Sequence, residues 1–200
     1  RVLAIAQRSV DEYAQYYPDA QQRCTVLPPG INRDRCAGPD APAVREAFRR
    51  EWRLQADDRL VLMIGSGFRT KGLDRAIRAV AALPDDWRCR TRFLVIGQDK
   101  PDAFLQLADS LGIAGQLQCL SGRDDIPQFL QGADVLMHPA YRENTGTVLL
   151  EAAVAGLPVL TTAACGYSTY IRDYDCGVVI DEPFAQSQLD QALVTMLRDD

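Results

Sequence analysis

From Arg59 onward, short apolar runs alternate with stretches typical of helices. The apolar runs lie at 60–64, 92–96, 117–120, 134–137, 158–160 and 177–180. The helical stretches lie at 73–82, 101–111, 126–131, 146–155, 168–171 and 186–197. This alternation predicts an α/β fold, namely a Rossmann-like parallel sheet with helices on both faces. The apolar runs are short and nearly continuous, as expected of strands that are buried on both sides.

The first 42 residues do not show this alternation of strands and helices. An apolar run at 2–6, a helical stretch at 10–17 and a short strand-like run at 24–27 precede a polar segment at 32–42. We therefore expect residues 1–42 to be the end of a preceding domain plus a linker, and residues 43–200 to be the Rossmann-like domain. The chain opens without Met in an apolar run and stops in a helical one. We expect both ends to be cut, so that the second domain is truncated at its C-terminal end.

Composition narrows the classes of function. A net charge of -5 and a pI near 4.9 argue against general nucleic-acid binding. No apolar run approaches the length of a membrane span, and no signal peptide opens the chain. Six cysteines without a C-x-x-C pair, beside a single histidine, argue against a zinc site. Scattered cysteines in a domain of this size predict reduced thiols and a cytoplasmic location.

The segment 133–162 contains the most specific pattern. An apolar strand ends at His138, a polar loop carries Glu143, and a helix opens at Gly146 and carries Glu151. Ligands of open α/β sheets bind at the carboxyl ends of strands, and a helix N-terminus attracts phosphate. Carboxylates repel phosphate, so sugar hydroxyls are their expected partners, and the segment indicates a sugar linked to a phosphate. Favourable interaction with the helix dipole is the alternative explanation for Glu143, although Glu151 lies more than a turn inside the helix.

A second candidate phosphate contact is the turn 65–72, which follows the first strand of the alternation. Glycines such as Gly67 let the backbone approach a ligand closely, and Arg69 and Lys71 supply positive charge. The turn matches neither the dinucleotide-binding fingerprint nor a P-loop. A solvated strand-to-helix turn is the alternative interpretation.

The pattern Glu143-x7-Glu151 resembles the signature of retaining glycosyltransferases with the GT-B architecture, in the large family often called GT4. The resemblance covers nearly all 200 residues. It is closer to one branch, the bacterial lipopolysaccharide-core glucosyltransferases that add the first glucose to the inner-core heptose. The stretches that carry this closer likeness are LPPGI at 27–31, RTKGLDRAI at 69–77, VIGQDKP at 95–101, HPAY at 138–141 and LTTAACGY at 160–167.

The resemblance assigns roles to individual residues. It implies that Glu151 binds the ribose, that Glu143 lies near the hexose and the donor phosphate, and that Glu143 and Lys71 are the catalytic residues. The family usually has Arg where this chain has Ser66, so the second cation at the diphosphate is Arg69 or Arg35. The resemblance also implies that Gly67 binds the donor and that Arg123 and Ile126 contact the nucleotide base. Four more residues would bind the donor through backbone amides, namely Asn144, Thr145, Gly146 and Thr147.

By resemblance, the chain is the C-terminal, donor-binding domain of a GT-B enzyme that moves glucose from UDP-glucose onto a lipopolysaccharide inner-core heptose. The acceptor would bind the missing N-terminal domain, so we expect this chain alone to bind a UDP-sugar weakly and to transfer nothing. The UDP-sugar is a substrate, and we expect no cofactor and no metal. The family also implies a cytoplasmic protein, peripheral on the cytoplasmic face of the inner membrane, with no nucleic-acid partner.

Two other functions fit the same residues. A nucleotide-sugar epimerase also places carboxylates near a UDP-sugar, and a non-catalytic nucleotide-binding module would need no acceptor.

For His138 we favour a hydrogen-bonded positioning role over a general base, because retaining chemistry has no evident use for a base here. The triplet Asp173-Tyr174-Asp175 matches a D-x-D metal motif but lacks a second acidic cluster. For Arg123 and Ile126, a helix cap by Asp124 or Asp125 is the alternative account of their loop.

Overall fold

A six-stranded parallel sheet organises the structure, a computed structural model that describes residues 1–27 and 29–198. Its strands are β3 (Arg59–Ile64), β4 (Thr91–Ile96), β5 (Leu117–Leu120), β6 (Val135–His138), β7 (Val159–Thr162) and β8 (Gly177–Ile180). They lie side by side in the order β5-β4-β3-β6-β7-β8. β1 (Val2–Ala4) and β2 (Cys24–Val26) pair with each other in a separate parallel sheet. Since β3 pairs with both β4 and β6, the loops that follow these strands leave the same edge of the sheet.

Helices cover both faces of this sheet. The helices of the chain are α1 (Gln7–Tyr16), α2 (Ala20–Arg23), α3 (Ala41–Glu51), α4 (Leu73–Ala81), α5 (Asp85–Arg88), α6 (Asp102–Ser110), α7 (Ile126–Gly132), α8 (Thr147–Val154), α9 (Ser168–Asp173) and α10 (Gln186–Arg198), with a 3-10 turn at Arg33–Arg35. Of these, α1 packs with α2 and with the separate pair of strands β1 and β2. Val61 and Met63 of β3 pack in the core with α4, α6 and α10. Leu60 and Leu62 pack in the opposite core with α3, α7, α8 and α9. The predicted parallel sheet with helices on both faces is confirmed, and burial on both sides explains the continuous apolar strands.

Most predicted elements are confirmed to within two residues at each end. The exception is α1, which begins three residues before its predicted start. The one-turn helices α2 and α5 were not predicted, because four residues are too few to display a helical period. Within the described ranges, no helix combines the length and apolarity needed to cross a bilayer. Pro28 of the LPPGI stretch and residues 199–200 of the expected second domain lie outside the described residues, and the boundary at residue 43 stays a prediction.

Gly72 brings the start of α4 against the loop that follows β6. It precedes the helix with a φ of 77°, in the left-handed region that favours glycine. A Cβ atom built on Gly72 would lie 2.1 Å from the carbonyl oxygen of Pro139. In the same turn, the amide of Tyr141 donates to the carbonyl of Thr70 at 2.9 Å. Only a residue without a side chain therefore allows these two loops to come so close.

This close approach predicts an unequal cost for two alanine substitutions. Gly112→Ala also places alanine at a positive φ, 73°, but with no atom within 4 Å of the added Cβ, so we expect it to cost about 1 kcal/mol of unfolding free energy. Gly72→Ala adds a steric clash with the backbone, and we expect a loss of at least about 3 kcal/mol. Urea denaturation of both variants measures the difference, and equal losses would show that the contact with Pro139 is not restrictive.

Candidate active site

The loops after β3 and β6 meet at a pair of opposite charges. The Lys71 ammonium donates to an oxygen of the Glu143 carboxylate. The side chains are 20% and 16% exposed, respectively. The two residues are 72 positions apart in the chain, and the pairing of β3 with β6 makes their loops neighbours. Two residues that the sequence proposed as catalytic are thus in direct contact at the carboxyl edge of the sheet.

Gly65 makes room for the lysine stem. Its φ of 123° belongs to the positive region that L side chains rarely adopt. A Cβ at this position would lie 3.0 Å from Cε and 3.2 Å from Cδ of Lys71. The loop is also fastened to its neighbour after β4, since Asp99 accepts a hydrogen bond from the amide of Phe68 at 2.6 Å. The missing side chain of Gly65 therefore leaves room for the aliphatic stem of Lys71.

His138 lies behind Glu143, at the end of β6, and is fully buried. Its Nε2 atom is 3.6 Å from the Glu143 carboxylate, and neither ring nitrogen has a hydrogen-bond partner among the described residues. Burial lowers the pKa of His138, so the imidazole is neutral near pH 7. The contact with His138 and the Lys71 ammonium together lower the pKa of Glu143 to about 2, against the opposing effect of burial. Glu143 is therefore firmly ionised.

The segment that leads from Glu143 into α8 is held by backbone hydrogen bonds. The amide of Glu143 donates to Ala164, the amide of Gly166 to Glu143, and the amide of Tyr167 to Thr145, at 3.3, 3.1 and 2.8 Å. Gly146 then caps α8 with a φ of 79°. The first amides of a helix have no partner within the helix, and its N-terminus carries a partial positive charge. A fixed backbone thus presents Thr147 and the amides next to it where an anion can bind.

Glu151 lies one turn inside α8 and pairs with a residue from the segment before α3. Nε of Arg35 is 3.6 Å from its carboxylate, and the Glu151 side chain is 22% exposed. Nε and Nη1 of Arg35 are buried without a hydrogen-bond partner among the residues that the structure describes. Nε also lies 3.8 Å from the Asp34 carboxylate, so Nη1 is the buried donor that remains for a further anion. The structure brings Arg35 to Glu151, a contact that the sequence analysis did not anticipate.

The remaining predicted residues lie in the turn after β3 and around the start of α7. Gly67 has a φ of 82° with open space around a built Cβ, and Arg69 is exposed in the same turn. Arg123 is exposed and forms a two-point ion pair with Asp125, at 2.7 and 2.5 Å. Ile126 is only 8% exposed and belongs to the core on the side of α3 and α7. Their roles toward a donor stay predictions.

The sequence analysis missed the side-chain contact of Asn144, and the hydrogen bond that it expected of His138 is absent among the described residues. The side chain of Asn144 accepts a hydrogen bond from Ser9 at the start of α1, at 3.0 Å, and no local pattern in the sequence predicts that contact. The prediction that His138 is hydrogen-bonded is wrong for the described residues, because its buried Nε2 atom stops 3.6 Å from the Glu143 carboxylate. Across residues 1–27 and 29–198, no three His, Cys, Asp or Glu side chains are grouped as metal ligands would be. The absence of a metal requirement stays a prediction.

Comparison with known proteins gives consistent matches. Residues 44–200 match the family described as Glycosyl transferases group 1. The lipopolysaccharide glucosyltransferase WaaG of Escherichia coli K12 is 44% identical over 193 residues, 96% of this chain and 52% of that protein. A crystal structure of WaaG, a glycosyltransferase involved in lipopolysaccharide biosynthesis, has a TM-score of 0.93 at 43% identity, covering 98% of this chain and 53% of that one.

A more distant structure shares the fold. Anabaena Alr3699/HepE in complex with UDP-glucose has a TM-score of 0.80 at 22% identity, covering 98% of this chain and 52% of that one. The chain thus spans about half the length of the relatives that it matches. The matched half includes both loops that meet at Lys71 and Glu143.

The low pKa of Glu143 predicts a defined acid sensitivity. Because the folded-state pKa of about 2 is below the ordinary 4.5, this carboxylate stabilises the fold above pH 4.5, and the contribution is lost as the pH falls toward 2. The loss from this group between pH 5 and pH 3 is about 2 kcal/mol of unfolding free energy. The stability difference between the parent chain and Glu143→Gln should shrink by that amount in urea denaturation at the two pH values.

Glu46→Gln is the matched control, because the Glu46 side chain is 80% exposed. We expect its stability to follow the parent chain at both pH values, since an exposed ion pair contributes little. If Glu143→Gln keeps the same deficit at pH 3 as at pH 5, the carboxylate is not held ionised as described.

Proposed function

This chain belongs to the Glycosyl transferases group 1 family, and we propose that it is the donor-binding half of a retaining hexosyltransferase that uses UDP-glucose. Its fold is that of the Rossmann-like C-terminal domain of the GT-B architecture, as predicted. The observation that carries the proposal is the contact of Lys71 with Glu143 beside the N-terminus of α8. A cation, a helix N-terminus and an ionised carboxylate are the groups that a sugar diphosphate requires, two for its phosphates and one for its hydroxyls.

The diphosphate is the part of the donor for which this site is best suited. We place it between the amides of Thr145, Gly146 and Thr147 and the Lys71 ammonium, with exposed Arg69 nearby. Negative charge that develops on the leaving UDP would be stabilised by these fixed donors, which need little reorganisation during the reaction. The carboxylate of Glu143 repels the phosphates and so turns toward the hexose hydroxyls.

The nucleoside would extend along the same edge of the sheet. We assign the ribose hydroxyls to Glu151, whose carboxylate Arg35 already orients, and the uracil to the loop with Arg123 and Ile126. Nη1 of Arg35 is buried without a hydrogen-bond partner in the described part of the chain, and this supports assigning Arg35 to the diphosphate as well. Asn144 would contribute through its backbone, since its side chain is already bound to Ser9.

Glucose and its acceptor are proposed from the 44% identical relative, whose name states a lipopolysaccharide glucosyltransferase. HepE, which shares the fold, was crystallised with UDP-glucose, and this supports a UDP-sugar donor. We propose that the complete protein transfers glucose to a heptose of the lipopolysaccharide inner core, at the cytoplasmic face of the inner membrane. In this proposal neither a cofactor nor a metal takes part, and the donor charge is neutralised by Lys71 and the helix amides.

Calorimetric titration of the chain with UDP-glucose, UDP, GDP-mannose and NAD tests donor binding. We expect UDP-glucose and UDP to bind and NAD not to bind. Lys71→Met removes a charged donor to the diphosphate and should weaken binding of both uridine nucleotides about 10- to 100-fold. Glu151→Gln should weaken both to a smaller extent, and Glu46→Gln, at an exposed carboxylate on α3, should bind as the parent does.

Two outcomes would contradict the proposal. Preferred binding of NAD would indicate a dinucleotide enzyme rather than a sugar transferase. Unchanged affinity in Lys71→Met would remove the cation on which the site depends. An epimerase is distinguished in the complete protein, where product analysis reports either glucose moved to an acceptor or UDP-glucose converted to an isomer.

A further inference from the structure

We propose that Arg75 is a positioning residue that holds Glu143 against Lys71, by fastening residues 139–141 to the first turn of α4. This residue is outside the groups assigned to the donor. The inference rests on the proposed function only in taking Glu143 to face the donor sugar. The positioning itself can be measured without any ligand.

The guanidinium of Arg75 is enclosed by aromatic rings from two different loops. Its central carbon lies 3.6 Å from the ring centroid of Tyr141 and 3.6 Å from that of Phe184. Tyr141 follows β6, and Phe184 lies between β8 and α10. A planar cation between two ring faces combines electrostatic attraction with stacking, which arginine provides and lysine does not. Arg75 therefore joins three segments that are far apart in sequence.

The same guanidinium holds the backbone that leads to Glu143. Nη1 of Arg75 donates to the carbonyls of Pro139 and Ala140, at 3.2 and 3.1 Å. Glu143 follows these residues within a few positions, on the same loop. Lys71 lies four residues before Arg75, in the turn that begins α4. Both partners of the ion pair thus reach their contact through backbone that Arg75 connects.

Neighbouring contacts fasten Tyr141 at the same place. Its hydroxyl donates to the Asp74 carboxylate at 2.7 Å, and its amide donates to Thr70 at 2.9 Å. Tyr141 nevertheless remains 50% exposed. Because half of Tyr141 is exposed, Arg75 and Asp74 are the groups that restrain its side chain, while Thr70 holds its backbone amide. The restraint acts on the direction in which the loop continues to Glu143.

A purely structural clamp and a positioning residue differ in a measurable quantity. If Arg75 only stabilises the fold, its loss lowers the melting temperature and leaves the surroundings of Glu143 unchanged. If it positions Glu143, its loss separates the carboxylate from Lys71 and raises the pKa of Glu143 toward its ordinary value. The titratable groups that face Glu143 are Lys71, His138 and the thiol of Cys165, and none of them is altered by the substitution.

The experiment is a carbon-13 NMR titration of the glutamate carboxyls in the 200-residue chain. In the parent we expect Glu143 to titrate at about 2. In Arg75→Leu we expect its pKa to rise by at least about one pH unit. Arg78→Leu is the matched control, because Arg78 lies one turn later on the same helix and is exposed, and it should leave Glu143 unchanged.

Two further variants keep the test decisive. Arg75→Lys retains the charge but loses the planar fork, so a raised pKa there shows that position, rather than the charge of Arg75, controls Glu143. If Arg75→Leu does not fold, Phe184→Leu removes one face of the sandwich and should give a smaller rise in the same direction. A Glu143 pKa that stays near 2 in a folded Arg75 variant overturns the proposal.

Calorimetry separates this inference from the proposed function. In Arg75→Leu, binding of UDP-glucose should weaken about fivefold more than binding of UDP, because Glu143 faces the hexose. Equal weakening of both nucleotides would contradict the positioning role. If the parent binds neither nucleotide although the pKa of Glu143 responds to Arg75, the proposed function fails and the positioning of Glu143 stands.

Discussion

The ion pair between Lys71 and Glu143 is the contact on which the site depends. It joins two loops that the chain alone would not bring together, and three features of the fold make it possible. Strands β3 and β6 are neighbours in the sheet, Gly72 allows close approach to Pro139, and Gly65 leaves room for the lysine stem. Strand order and the two glycines determine how closely the backbone of the two loops can approach. The position of the charged groups in the site therefore depends largely on backbone geometry.

In the structure the charges of Lys71 and Glu143 neutralise each other. A donor diphosphate would bind the Lys71 ammonium in place of Glu143, and the N-terminus of α8 would help to neutralise the negative charge of the phosphates. The Glu143 carboxylate would then accept hydrogen bonds from the sugar hydroxyls instead of from the Lys71 ammonium. Neutral His138 behind it allows this exchange without a new buried charge, since its pKa is lowered by burial. Catalysis by such a site would come from prepared charges and amides rather than from a nucleophile of the protein.

The sequence predicted the fold well because each buried parallel strand can be recognised from its own short run of apolar residues. The runs 60–64 and 93–96 are apolar throughout, and a glycine follows each of them. The same local pattern placed Lys71 and Glu143 in loops that follow strands, and Glu151 one turn inside the next helix. It could not give the pairing of Arg35 with Glu151, or the enclosure of Arg75 by Tyr141 and Phe184. Those contacts join segments that only the folded sheet makes neighbours.

The most direct measurement is an amide NMR titration of the 200-residue chain with UDP-glucose. If the diphosphate binds between Lys71 and the start of α8, the largest shifts fall on residues 65–72 and 144–147. At the opposite end of the sheet, a cavity of about 420 Å³ lies beside Arg45, Gln131 and Met196. Shifts confined to the residues around that cavity would contradict the placement of the donor at the ion pair.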